Sequence, residues 1–198
     1  MNNKELIQVH IDIMTITAHA RKIGWDTISV DTLQRFIYLL KVLYSFMNNR
    51  DENIFNQYHF NVTTFGPYSE IIYRSVVFLL ASHRLEGDMH GDVKITSNDG
   101  VDEMDKERIN WIDSILLILS KYGENKIFGF IVNDPLYDIS VKSNQSSEIQ
   151  VTPENETLLV LNDFKKAFEE TLSDTSSISK EEYISLYFDY IFSQIIKG

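Results

Sequence analysis

"FGPYSEIIYRSVVFLL", residues 65–80, decides how this chain is read. The Gly66-Pro67 dipeptide predicts a turn. Ser69 suits the N-cap of a helix that follows, and Glu70 complements the positive end of its dipole. On a helix turning ~100° per residue, Ile72, Tyr73, Val76, Leu79 and Leu80 gather on one side, and that side is expected to face a core. Glu70, Arg74, Ser75, Ala81 and Ser82 fall opposite. Ile71 and Phe78 sit among them, stacked two turns apart.

Working outward, the segment before this helix opens with a mixed apolar and polar stretch over about 4–22 that reads as a helix ending near Gly24. Then "VDTLQRFIYLLKVLYSFM" carries Leu33, Phe36, Ile37, Leu40, Leu43, Tyr44 and Met47 at helical spacing, with Asp31 as the expected cap. "NNRDEN" (48–53) is a polar loop. After the Gly-Pro helix, which is expected to end near His83–Arg84, "LEGDMHGDVKITSNDG" (85–100) reads as a hairpin with its tip at 87–91. Helix, turn, helix and hairpin in this order predict a winged-helix unit over roughly 31–100.

The rest of the chain is expected to be helical. Trp111, Ile112, Ile115, Leu116 and Leu119 share one side of a helix. "ENKIFGFIVNDPLYDISV" reads as a short helix stopped before Pro135 and a second short one, with Asp134 as cap. Thr152 is the expected cap of the next helix, with Pro153 at its first position. Ser179 and Glu182 form a capping box for the last. On that last helix Tyr183, Ile184, Tyr187, Phe188, Tyr190, Ile191 and Ile195 cover an arc wide enough to touch more than one element. The fold class is therefore mainly α with a small β hairpin. A winged-helix-like domain is expected over 1–100 and a helical domain packed against it over 101–198.

Composition narrows the partners. The 198 residues carry a net charge of -11, and hydrophobic residues make up 43%, ample for a core. Residues 1–100 hold 9 basic against 11 acidic side chains, and residues 101–198 hold 9 against 18. The pI is about 4.8, whereas a domain that binds nucleic acid by itself has a basic stripe and a pI above ~9. Phosphate neutralisation drives most nucleic-acid affinity, so protein partners are expected, and no high-affinity nucleic-acid binding by the isolated chain. There is no cysteine, no basic-then-apolar leader and no apolar run near the ~20 residues that cross a bilayer. The expectation is a cytoplasmic chain with no membrane contact.

No reactive constellation is visible. The histidines are His10, His19, His59, His83 and His90, and none belongs to an H-E-x-x-H. His10 and Asp12 form an H-x-D, a pattern common by chance. No P-loop, G-x-S-x-G or G-x-G-x-x-G is present. The expectation is no catalytic residue, no metal and no cofactor.

"FNVTTFGPYSEIIY" resembles the F-x-x-x-x-[FY]-G-P-[FY]-S signature of two groups of winged-helix proteins. One is the Panacea-type antitoxins. The other is the small middle component of bacterial ABC three-component systems, the Lamassu-like antiphage operons. "VHIDIM" ahead of "LQRFIYLLKVLY", then "KYGENKIFGFIVNDPLYDI" and "LLVLNDFKKAF", are similar in order to the second group and extend the resemblance over nearly the whole chain. The resemblance implies a non-catalytic accessory subunit that links an SMC-like ATPase to an effector, often a nuclease, and helps regulate it. The alternative is an antitoxin or transcriptional regulator. In either case a DNA reader would carry Arg, Lys, Asn or Gln on the outer face of the Gly-Pro helix, and this chain offers two apolar side chains, one acid and one arginine. Ile71, Arg74, Ser75 and Phe78, with Tyr187 and Ile191 of the last helix, are the candidate partner-binding residues. Burial of the same faces by the rest of the chain is the competing reading.

Overall fold

Helices dominate, and two small antiparallel sheets are set among them. The computed structural model describes residues 3–48, 52–96, 105–143, 148–172, 174–175 and 177–197. In chain order the elements are α1 (Asn3–Lys22), β1 (Ile28–Ser29), α2 (Val30–Met47), β2 (Asn61–Thr63), β3 (Gly66–Tyr68), α3 (Glu70–Ala81), β4 (Leu85–Gly87), β5 (Asp92–Ile95), α4 (Lys106–Ser120), α5 (Glu124–Val132), α6 (Pro135–Lys142), α7 (Glu156–Thr171) and α8 (Lys180–Lys197).

The hairpin expected after α3 is β4–β5, with Glu86 opposite Lys94. It gains a third strand, because β1 pairs with β5 to give the order β1-β5-β4. The end of the expected hairpin, 97–100, and the expected domain boundary at 100 and 101 lie outside the described residues.

The Gly66-Pro67 reading is corrected. These two residues are not the turn but lie in β3, where Gly66 pairs with Thr63 and Pro67 with Val62. Thr64 and Phe65 make the turn. The Thr63 hydroxyl accepts from the Phe65 N–H and donates to the Gly66 carbonyl, so one side chain closes the loop. Gly66 has φ +116°, a conformation that glycine reaches without steric cost.

Two caps also differ from expectation. Ser29, not Asp31, caps α2 by accepting from the Thr32 N–H at 3.1 Å. Asn155, not Thr152, caps α7, accepting from the Leu158 N–H. Its amide also donates to the Val42 carbonyl on α2, a contact that local sequence does not reveal. Asp134 does cap α6, and Ser179 and Glu182 do form the reciprocal capping box at α8. The end of α3 is a Schellman arrangement: His83 N–H bonds Leu80, Arg84 N–H bonds Leu79, and His83 takes φ 56°.

α2 is the hub. It packs against β3, α3, α4, α5, α7 and α8. Leu33, Phe36, Ile37, Leu40, Leu43 and Tyr44 are buried as expected, and so are Tyr38, Leu39, Val42 and Phe46 on its other sides. Burial on several sides fits a helix that several elements pack against, while Asp31 at its start stays exposed. One hydrophobic cluster runs from Val9 on α1 to Ile191 on α8. Polar bonds tie α2 to the second half of the chain. Trp111 Nε1 donates to the Leu40 carbonyl, Tyr44 Oη to Glu107, and Tyr38 Oη to Asp134. Asp134 also accepts from Thr157 and the Tyr137 N–H, and its burial pushes its carboxyl above the usual carboxylate range.

Candidate partner-binding groove

α3 is oriented from its first residue. Gln34 on α2 grips the backbone of Ser69 from both directions: its carbonyl oxygen accepts from the Ser69 N–H at 2.8 Å, and its amide donates to the Ser69 carbonyl at 3.2 Å. This side-chain clamp imitates a strand pairing and holds α3 in register with α2. Ile72, Val76 and Leu79 then enter the core, as the wheel requires. The opposite side meets α1, which packs along α3.

Between them lies a groove of about 800 Å³. α1 contributes Glu5, Leu6 and His10, α3 contributes Glu70, Ile71, Arg74 and Phe78, and the 56–61 segment closes one side. Leu6 and His10 are four residues apart and share a face of α1. The His10 ring stacks on Phe78 with centroids 4.7 Å apart and planes within 5°. Phe78 nevertheless stays 56% exposed.

Two charged groups of the groove pair with each other. Arg74 Nε is bonded to Glu70 Oε1 at 2.7 Å, and Tyr68 Oη donates to the other oxygen of the same carboxylate. These two hydrogen bonds hold the Glu70 carboxyl below its ordinary range. Burial pushes His10 below the ordinary imidazole range, so its ring is neutral near pH 7. His59 on the far wall pairs with Glu148.

Three of the six candidate residues come together here: Ile71, Arg74 and Phe78. The other three are corrected. Ser75 is fully buried, Tyr187 is 3% exposed and Ile191 is 8% exposed. α1 packs along α3, and Ser75 is closed off from solvent on the folded helix. Tyr187 and Ile191 are occupied by the chain's own core, with the Tyr187 ring against Phe164 and Phe188. On α8, Tyr190 is the aromatic left half exposed.

Sequence reasoning missed Leu6, His10 and Ser69. Ser69 is read from sequence as a cap, yet its side chain makes no capping bond. Its hydroxyl is sealed from solvent and has no hydrogen-bond partner among the described residues, and the same holds of His10 Nε2. Among the described residues no group of three or more His, Asp or Glu is arranged to hold a metal ion. No described helix is long and apolar enough to cross a membrane. No protein-family model matches the chain, and neither a curated protein nor a solved structure is significantly similar to it.

Proposed function

We propose that this chain is a non-catalytic accessory subunit, built on a winged-helix unit, that links an SMC-like ATPase to an effector in a bacterial antiphage complex of the Lamassu-like type. The element order α1–β1–α2–α3–β4–β5, with strands ordered β1-β5-β4, supports the winged-helix part of the reading. In that arrangement α3 takes the place of the nucleic-acid-reading helix.

The observation that carries the functional part is the outer side of α3. Phe78 and Val77 are exposed there, Ile71 is half-buried, and Arg74 is already engaged by Glu70. A surface that reads phosphate needs cations free to release counterions. One engaged arginine on a chain of net charge -11 does not supply them. An aromatic side chain beside an arginine is instead the usual anchor of a protein interface.

The test is co-purification of the tagged chain with the proteins encoded beside it, for wild type and Phe78→Asp. Wild type brings down a large ATPase with long coiled coils. Phe78→Asp keeps its fold, since it loses only an exposed ring and a stack worth about 0.5–1.5 kcal/mol, and it loses the ATPase. Tight, salt-sensitive, sequence-specific DNA binding by the purified wild-type chain would overturn the proposal in favour of a Panacea-type regulator.

A further inference from the structure

We infer that His10 is a proton-operated latch between α1 and α3: neutral, it holds the start of α1 against Phe78, and protonated, it lets the first turns of α1 part from α3. The latch is a property of the isolated chain and stands or falls independently of the accessory-subunit reading.

The seam that it closes is short. At its start α1 is poorly covered: Asn3, Lys4 and Glu5 are exposed, Ile7 is 56% exposed, and Val9 is the first buried residue among those described. From Asp12 onward the helix is fixed, because that buried carboxylate accepts from Arg108 on α4 and from Tyr58. His10 stands between the loose start and the fixed part, with its ring stacked on Phe78 and the centroids 4.7 Å apart. Residues 3–10 can therefore part from α3 while the Asp12 bonds stay in place. Such a local opening, at a helix end with few buried contacts, needs far less free energy than unfolding.

The chemistry of the ring makes this contact depend on its proton. His10 Nε2 is sealed from solvent and has no hydrogen-bond partner among the described residues. A neutral imidazole carries one N–H, so Nδ1 can hold it and leave the sealed Nε2 bare, whereas an imidazolium carries an N–H on both nitrogens. Protonation thus forces a charged donor into a place without an acceptor, and an unpaired charged group costs more than an unpaired neutral one. Stacking on Phe78 favours a cation, but burial outweighs it and pushes His10 below the ordinary imidazole range. The neighbouring charges are engaged elsewhere. Asp12, on another side of α1, is taken by Arg108, Tyr58 and Gln8. Glu70 on α3 is taken by Arg74 and Tyr68, and His59 of the 56–61 segment pairs with Glu148. Glu5 is exposed to solvent, and burial is what sets the direction for His10.

Amide hydrogen exchange of the full chain tests the latch. Wild type, His10→Phe and His10→Gln are compared at equal pH, from about 8 to about 5, so that intrinsic exchange cancels. His10→Phe keeps a ring against Phe78 and has no proton to take up. Protection of residues 7–11 should fall with pH in wild type relative to His10→Phe, while residues 12–20 keep theirs in all three proteins. His10→Gln, with neither ring nor titrating proton, should be weakly protected over 7–11 at every pH, and it supplies the pH-independent baseline if His10→Phe does not fold. An imidazole NMR titration of the same samples should place His10 below the ordinary histidine value, and Phe78→Ala should move it up toward that value by opening the seam to water. Wild-type protection over 7–11 that follows the non-titrating variant at every pH would overturn the inference. So would a His10 that titrates at or above the ordinary value, or a loss of protection spread evenly over 7–20.

Discussion

Replacing Asp12 with alanine should cost this protein about a fifth or more of its stability. Asp12 is fully buried on α1, and Arg108, on α4, is 5% exposed. The guanidinium grips the carboxylate through two nitrogens, Nε at 2.6 Å from Oδ1 and Nη2 on Oδ2. Tyr58 Oη donates to Oδ2, and Gln8 Nε2 donates to Oδ1 at 3.0 Å. Arg108 also donates to the Ile54 carbonyl and lies over the Phe55 ring at 4.2 Å. Alanine removes the carboxylate and leaves the guanidinium in the core without its counter-charge. That loss is worth about 3–5 kcal/mol, against a total stability of about 5–15 kcal/mol. The Tyr58 hydroxyl, which is also buried, loses its acceptor too, but this cost is coupled to the first and does not simply add. With a urea slope of about 2–3 kcal/mol/M, the midpoint should drop by roughly 1–2.5 M. Charge removal is separated from loss of volume by the double variant Asp12→Leu, Arg108→Met. It replaces the pair with apolar groups of similar size and should recover most of the loss. A single Asp12→Ala that costs less than about 1 kcal/mol, or single-site losses that add in the double variant, would refute the claim that this pair holds α1 to α4.

Two further outcomes follow from local geometry. Gly87 has φ +132°, and a Cβ there would lie 2.0 Å from the Asp92 carbonyl oxygen, so Gly87→Ala should unpair the β4–β5 end and cost about 3 kcal/mol or more. Gly24→Ala, with positive φ but open space around the added carbon, should cost only the backbone strain, about 1–2 kcal/mol, and urea midpoints compare the two. His10, whose ring burial holds below the ordinary imidazole range, takes up its proton less readily when folded than when unfolded. Its contribution is therefore complete above the unfolded value of about 6.5 and is lost as pH falls through that value toward the folded one. The wild type should thus lose more stability than His10→Gln between about pH 8 and about pH 5, and equal losses would show that His10 does not titrate with folding.

What could be read from sequence divides along a physical line. Properties carried by neighbours along one helix were readable. The core face of α3, the buried side of α4 through Trp111 and Leu119, the Asp134 cap and the Ser179–Glu182 box each depend on residues within a turn or two. Properties set by which surface lands on which were not. Thr152 and Asn155 are both competent caps, and the bond from the Asn155 amide to the Val42 carbonyl favours the second. Ser75 lies on the polar side of the α3 wheel, yet it is fully buried in the folded chain. Asp12 looks like half of a chance H-x-D until Arg108 arrives from far along the chain.

The same division separates the two steps of the functional argument. Net charge is a sum over residues and is indifferent to the fold, so the expectation of protein partners over phosphate follows from composition alone. The groove is a product of folding. The Phe78 ring lines it only because folding brings the His10 ring to stack on it. A face can be apolar and exposed for no reason. This one matters to the accessory-subunit proposal because Phe78 stays 56% exposed while the His10 ring stacks on it, and co-purification of the Phe78→Asp variant tests that use of it.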